Sequence, residues 1–141
     1  MNMSLKSLTA KALFTIVAGG LSSAAMALDF MPFGEGALPS GNYVEDFQVT
    51  LAPGEAVPWH YHPGRVYAVI VAGTVTEEHG CGKPVETFGV GSAFTEAPGA
   101  IHRVFNYGTE PLVIVLTFIV PPAYKDYNGI NIFVTGPHCD D

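Results

Sequence analysis

Histidines carry the chemistry most open to view in this chain of 141 residues. The stretch "VPWHYHPGRVYAVIVAG" (residues 57–73) sets His60 and His62 two positions apart. Side chains on a strand alternate between faces, so two imidazoles at that spacing stand side by side and can chelate one ion. The same alternation sends Val57, Trp59 and Tyr61 the other way. A second stretch, "GSAFTEAPGAIHRVFN" (residues 91–106), turns at Pro98 and Gly99 and then sets His102 on a strand. There His102, Val104 and Asn106 share one face, and Ile101, Arg103 and Phe105 the other. Each stretch alone is weak evidence, because a strand histidine is commonly incidental. Together the two stretches make a pattern that neither carries alone.

Carboxylates near these stretches are few. Glu96, six residues before His102, is the best candidate for a further ligand, although its place outside the turn reads as a solvated strand end. Glu77 and Glu78 close another strand. Arg65, after the Pro63-Gly64 bend, can anchor a substrate carboxylate. Tyr67 and Asn106 are further candidates for a substrate pocket. Trp59, Tyr61 and Phe105 flank the histidines and are expected in the core. His79 and His138 fall in loops beside the two cysteines and read as solvent-exposed, with metal binding the lesser alternative. No G-x-S-x-G elbow, phosphate loop or HExxH helix occurs.

Strands must position these residues. From residue 42 on, short runs of Val, Ile, Phe, Thr and Tyr alternate with Gly, Pro and acidic turns. Eight such runs predict an all-β sandwich or barrel. Residues 112–120, "LVIVLTFIV", are apolar at all but one position, which predicts a strand covered on both faces. Residues 28–41 are rich in Gly and Pro without a period and read as an N-terminal arm or loop.

The N-terminus reads as an address. Lys6 and Lys11, the apolar run at residues 12–18 and the "AMA" at residues 25–27 together form a cleavable signal peptide over residues 1–27. Gly19, Gly20, Ser22 and Ser23 break the run well short of the roughly 20 apolar residues of a membrane span. The expected location is periplasmic or secreted. Without residues 1–27, only Arg65, Lys83, Arg103 and Lys125 oppose thirteen acids, a net charge of −9. So acidic a chain repels nucleic acid and anionic membrane surfaces. The two cysteines, Cys81 and Cys139, suggest a disulfide in an exported protein. Closing that loop is worth about 4 kcal/mol in the chain-entropy model. Metal ligation by Cys81, beside His79, is the alternative.

The two histidine stretches resemble the paired motifs of the cupin superfamily. In G-x5-H-x-H-x3,4-E-x6-G, Gly54, His60, His62 and Gly73 stand at the signature positions. In G-x5-P-x-G-x2-H-x3-N, Gly91, Gly99, His102 and Asn106 fit without a shift, and Ala97 replaces the proline. The family glutamate would fall at Val66 or Tyr67, and neither is a carboxylate. The resemblance implies a single jelly-roll barrel over residues 42–141 with one divalent transition metal (Fe, Zn, Ni, Mn or Cu) held by His60, His62 and His102. It further implies either a metal-dependent dioxygenase or related enzyme acting on a small anionic molecule, or a non-catalytic module for a small ligand or metal. Pairing as a homodimer is a further expectation.

Overall fold

The computed structural model describes residues 29–125 and 130–139. The expected signal peptide lies outside them. Among the described residues ten strands follow one another: β1 Asp29–Ala37, β2 Tyr43–Leu51, β3 Ala56–Tyr61, β4 Val66–Ala72, β5 Thr74–Glu78, β6 Glu86–Gly89, β7 Ala93–Glu96, β8 His102–Phe105, β9 Leu112–Val120 and β10 Ile132–Phe133. They form two five-stranded antiparallel sheets, in the orders β1-β2-β9-β4-β7 and β10-β3-β8-β5-β6. This is a jelly roll, in which strands distant in sequence lie side by side.

Each predicted run from residue 42 onward supplies a strand, and the run at residues 66–78 supplies two. It is split at Gly73, whose φ is +74°. A Cβ there would stand 2.7 Å from the Pro111 carbonyl oxygen, so only glycine lets β4 turn into β5 beneath β9. The alternating apolar residues meet between the sheets. Val49, Leu51, Ala68, Ile70, Leu112 and Ile114 from one sheet pack on Val57, Val75 and Val104 from the other. A smaller cluster of Val66, Phe118 and Val120 closes the core near the histidines.

Three expectations are corrected. The Gly- and Pro-rich arm at residues 28–41 is largely strand: β1 pairs with β2 from Asp29 to Ala37, with a bulge between Pro32 and Gly34. The partner strand imposes the extended form where propensity is silent. Strand β9 is not covered on both faces; its outward residues are only half-buried, and Val69 and Val71 beside it on β4 are exposed. Val57 faces inward with His60, not outward with Trp59. The β3–β8 register shifts between Val57 and His60, around a proline that cannot donate to a ladder, and this resets the alternation.

Cys81 and Cys139 are joined as a disulfide with Cα atoms 5.2 Å apart, so Cys81 is not a metal ligand. The bond fastens the C-terminal segment across the outside of β3. Its strand β10 pairs Ile132 with Tyr61 and Phe133 with His60. Val134 N–H donates to the Trp59 carbonyl at 2.9 Å. Trp59 and Tyr61 accordingly cover the outer face of their sheet rather than entering the core. Trp59 stacks under the Arg103 guanidinium at 4.6 Å.

Candidate metal centre

Antiparallel pairing of β3 with β8 sets His60 directly opposite His102. His62 follows at the end of β3, and the Gly99 N–H donates to its carbonyl at 2.9 Å, tying the turn of the second stretch to the first. The three rings converge, with centroids 4.3 Å apart for His60 and His102, 4.8 Å for His60 and His62, and 5.1 Å for His62 and His102. All three are buried.

Their protons can be placed. His60 Nδ1 lies 2.7 Å from the Pro58 carbonyl oxygen, His62 Nδ1 2.5 Å from that of Ile130, and His102 Nδ1 2.9 Å from that of Ala100. A carbonyl only accepts, so each Nδ1 must donate. In the neutral ring this leaves the Nε2 lone pair free, the tautomer that metal-ligating histidines take when backbone oxygens hold the other nitrogen. One ligand nitrogen from each ring lies within 4.8 Å of the others.

The fourth group is Glu96. It is 7 % exposed, not a solvated strand end. Its carboxylate oxygens stand 2.9 Å from His62 Nε2 and 3.3 Å from His102 Nε2. Two ligands of one ion, each about 2.1 Å away, lie about 3.0 Å apart at right angles and about 3.4 Å apart at the tetrahedral angle. The observed separations lie within about 0.1 Å of that range. Although these atoms are close, Glu96 Oε2 and His102 Nε2 have no well-directed hydrogen bond and are buried polar atoms without a partner. Buried lone pairs and a carboxylate that meet with no donor between them call for a positive partner. The residues present therefore fit a divalent ion.

Register explains where this carboxylate comes from. Val66, at the place where the motif has its glutamate, pairs directly across the ladder with Glu96 on β7. Directly opposed residues share a face with Cβ atoms about 5 Å apart. The carboxylate absent from β4 is thus supplied by the neighbouring strand of the same sheet. The centre spans both layers, with imidazoles from one and Glu96 from the other.

In the metal-free chain a proton takes the cation's place. Burial alone would lower the His102 pKa, but the Glu96 carboxylate outweighs it and raises it above the usual histidine value. For Glu96, burial pushes upward and the contacts from His102 and His62 overcome it, holding the group below the ordinary carboxylate range. His60, desolvated and facing His102 and His62, is lowered to about 4 and stays neutral.

The other candidates sit elsewhere. Tyr67 is 48 % exposed, pointing outward on β4, because its neighbour Val66 takes the inward position. Arg65 is exposed on the bend before β4. Asn106 is buried but serves the backbone. Its Nδ2 donates to the carbonyls of Leu51 and Glu110, and its Oδ1 accepts from Gly108 N–H. None of the three lines the centre. Two residues that were read as strand-end or solvent groups lie close to it instead. Glu77 of β5 is buried, and His79 is half-buried between Glu77 and Glu86. The inward parity of β5, Val75 then Glu77, was the available signal.

A chamber of about 30 Å³ adjoins His60, His62 and Glu96, walled by Phe30, Val57, Phe94 and Leu116 among others. At 10–15 Å³ per water, it admits about two. A wider surface cleft of about 610 Å³ has His79, Lys83, Ile101 and His138 in its lining. The His79 ring at its floor is 6.3 Å from that of His102.

A two-layer jelly roll with three imidazoles and a carboxylate converging between its layers defines a double-stranded β-helix protein able to hold a metal ion. The chain belongs to the cupin family: the model of the cupin domain matches residues 47–118, just over half of it. No curated protein matches the sequence significantly. Among solved structures, an RmlC-like cupin from Methanocaldococcus jannaschii is similar with a TM-score of 0.58 and 15 % identity over 74 % of this chain and 90 % of that one. A double-stranded β-helix protein from Klebsiella pneumoniae gives a TM-score of 0.52 and 21 % identity over 66 % and 80 %. An oxalate oxidase gives a TM-score of 0.52 and 23 % identity over 64 % and 46 %. At these identities the likeness is one of fold.

Proposed function

We propose that the protein is an exported cupin that binds one divalent transition metal through His60, His62, His102 and Glu96 and performs metal-dependent redox chemistry on a small anionic molecule. The observation that carries the metal is the meeting of buried acceptors around Glu96 Oε2 and His102 Nε2, with every Nδ1 already committed to a carbonyl. Bound there, the ion supplies Lewis acidity and, where it is redox-active, one-electron chemistry. The protein's own part is to hold the three rings in one tautomer, to exclude bulk water by burying all four side chains, and to limit access. Three neutral imidazoles and one carboxylate leave a divalent ion with one net positive charge, which favours an anion. Lys83 in the wider cleft adds a positive charge on that side of the barrel. The chamber beside the histidines restricts what can reach them to a few heavy atoms.

Metal analysis of the purified protein, followed by oxygen consumption with short carboxylates, thiols and diketones, tests this. Metal bound with uptake on one class supports the enzyme. Bound metal with no uptake on any class gives the second reading, a non-catalytic metal-binding module, which the deep burial of all four groups favours. Absence of metal after anaerobic loading removes both.

A further inference from the structure

A second set of donors lies between the histidine centre and the surface. Strands β5 and β6 pair with Glu77 directly opposite Glu86, which puts two carboxylates on neighbouring strands, a destabilising arrangement when unneutralised. His79, two residues beyond Glu77, comes up beside both. Its Nε2 is 3.0 Å from Glu86 Oε2 and 3.7 Å from Glu77 Oε1. A proton on that nitrogen satisfies Glu86, with which it makes a hydrogen bond, but leaves Glu77 without a donor at bonding distance. Glu77 is 2 % exposed, and among the described residues its carboxylate makes no hydrogen bond. Once ionised, a buried carboxylate aimed at a nitrogen it does not bond needs another positive partner. One ligand atom from each of Glu77, His79 and Glu86 lies within 4.8 Å of the others.

We propose that Glu77, His79 and Glu86 form a second divalent-cation site at the rim of the barrel, next to the histidine centre. Two carboxylates and a neutral imidazole cancel the charge of a divalent ion, and this oxygen-rich set suits Mn²⁺ or Zn²⁺. The inner face of the site adjoins the first centre, since Glu77 also comes within 4.8 Å of ligand atoms of Glu96 and His102. The outer face opens on the cleft lined by His79 and Lys83. Exposed Glu86 and half-buried His79 leave coordination positions for water or a ligand there. The rim ion therefore binds more weakly than the inner one and exchanges more readily.

Equilibrium dialysis of the oxidised, chelator-stripped protein against Mn²⁺, with bound metal counted by mass spectrometry, tests the site. The native chain is expected to hold two equivalents. His79→Ala with Glu86→Gln should lose one while melting within a few degrees of the native protein, and Glu86→Gln alone, at an exposed position, carries the count if the double variant folds poorly. Electron paramagnetic resonance should show broadening from the ion pair in the native protein and its loss in the rim variants. An unchanged number of equivalents in the rim variants overturns the proposal. His60→Ala with His102→Ala reads the inner centre separately, so a rim site that fails leaves the reading of that centre standing, and the reverse.

Discussion

Replacing Glu77 by Gln tests how the interior handles its unneutralised carboxylate. Burial first, and then the charge of Glu96, raise the Glu77 pKa from 4.5 to about 7. The group binds its proton more tightly in the folded chain than in the unfolded one. Between pH 4.5 and about 7 the unfolded state has released that proton and the folded state has kept it, so stability falls as pH rises through this window. Below it the two states match, and above it the cost is complete. At 1.36 kcal/mol per pK unit, the raised value corresponds to about 3 kcal/mol at pH 8. Glutamine keeps the shape and never ionises. In chelator, Glu77→Gln should therefore raise the melting temperature at pH 8 by roughly 10 °C for a domain of this size, and by little at pH 4.5. With Mn²⁺ in excess the advantage should shrink or reverse, because the substitution removes a rim ligand. Thermal melts followed by circular dichroism at the two pH values, with and without metal, measure all of this. A stripped Glu77→Gln protein no more stable than native at pH 8 would refute the reasoning, since Glu77 would then already have a partner.

Glu96→Gln should lower affinity for the inner metal at least tenfold while leaving the fold intact, measured by competition with a chelating dye; unchanged affinity removes Glu96 from the ligands. Asn106→Ala should cost about 1–3 kcal/mol in urea unfolding, because it leaves the buried Leu51 carbonyl, and the part-buried Gly108 N–H and Glu110 carbonyl, without their partner. Its metal content should not change, which separates a structural Asn106 from a pocket residue. Cys81→Ser with Cys139→Ser should cost about 4 kcal/mol for the 58-residue separation it opens. Arg65→Ala should change melting by less than about 0.5 kcal/mol and leave any activity on anions in place, as expected of an exposed bend residue remote from the centre.

Much of the site was legible because it rests on local alternation. His60 and His62 at i and i+2, and His102 with Val104 and Asn106, take inward positions that a strand period of two predicts. Glu96 and Glu77 were harder to read because their roles come from pairing between strands. Glu96 matters because β7 lies beside β4, opposite Val66, and no spacing within residues 91–106 contains that fact. Glu77 faces inward by the same alternation as Val75, but its place opposite Glu86 comes from the pairing of β5 with β6. Val57 misled in the opposite sense, since a bulge at Pro58 resets a count that assumes an unbroken ladder. The arm at residues 29–37 has no pattern of its own and owes its form to β2. Asn106 was misplaced for a different reason: a polar side chain on an inward face can serve either a ligand or the main chain, and only its partners decide.

The covalent tie between Cys81 and Cys139 has a consequence for how the protein matures. The tail it secures carries the Ile130 oxygen that orients the His62 ring, and it lays β10 along the strand that bears His60. Until the thiols are oxidised, that tail is held only by the short β10 pairing, the Val134 hydrogen bond and the packing of Ile130 on the smaller core cluster. Loading of the ion should then follow oxidation in time, and the reduced chain should hold the ion more weakly than the oxidised one.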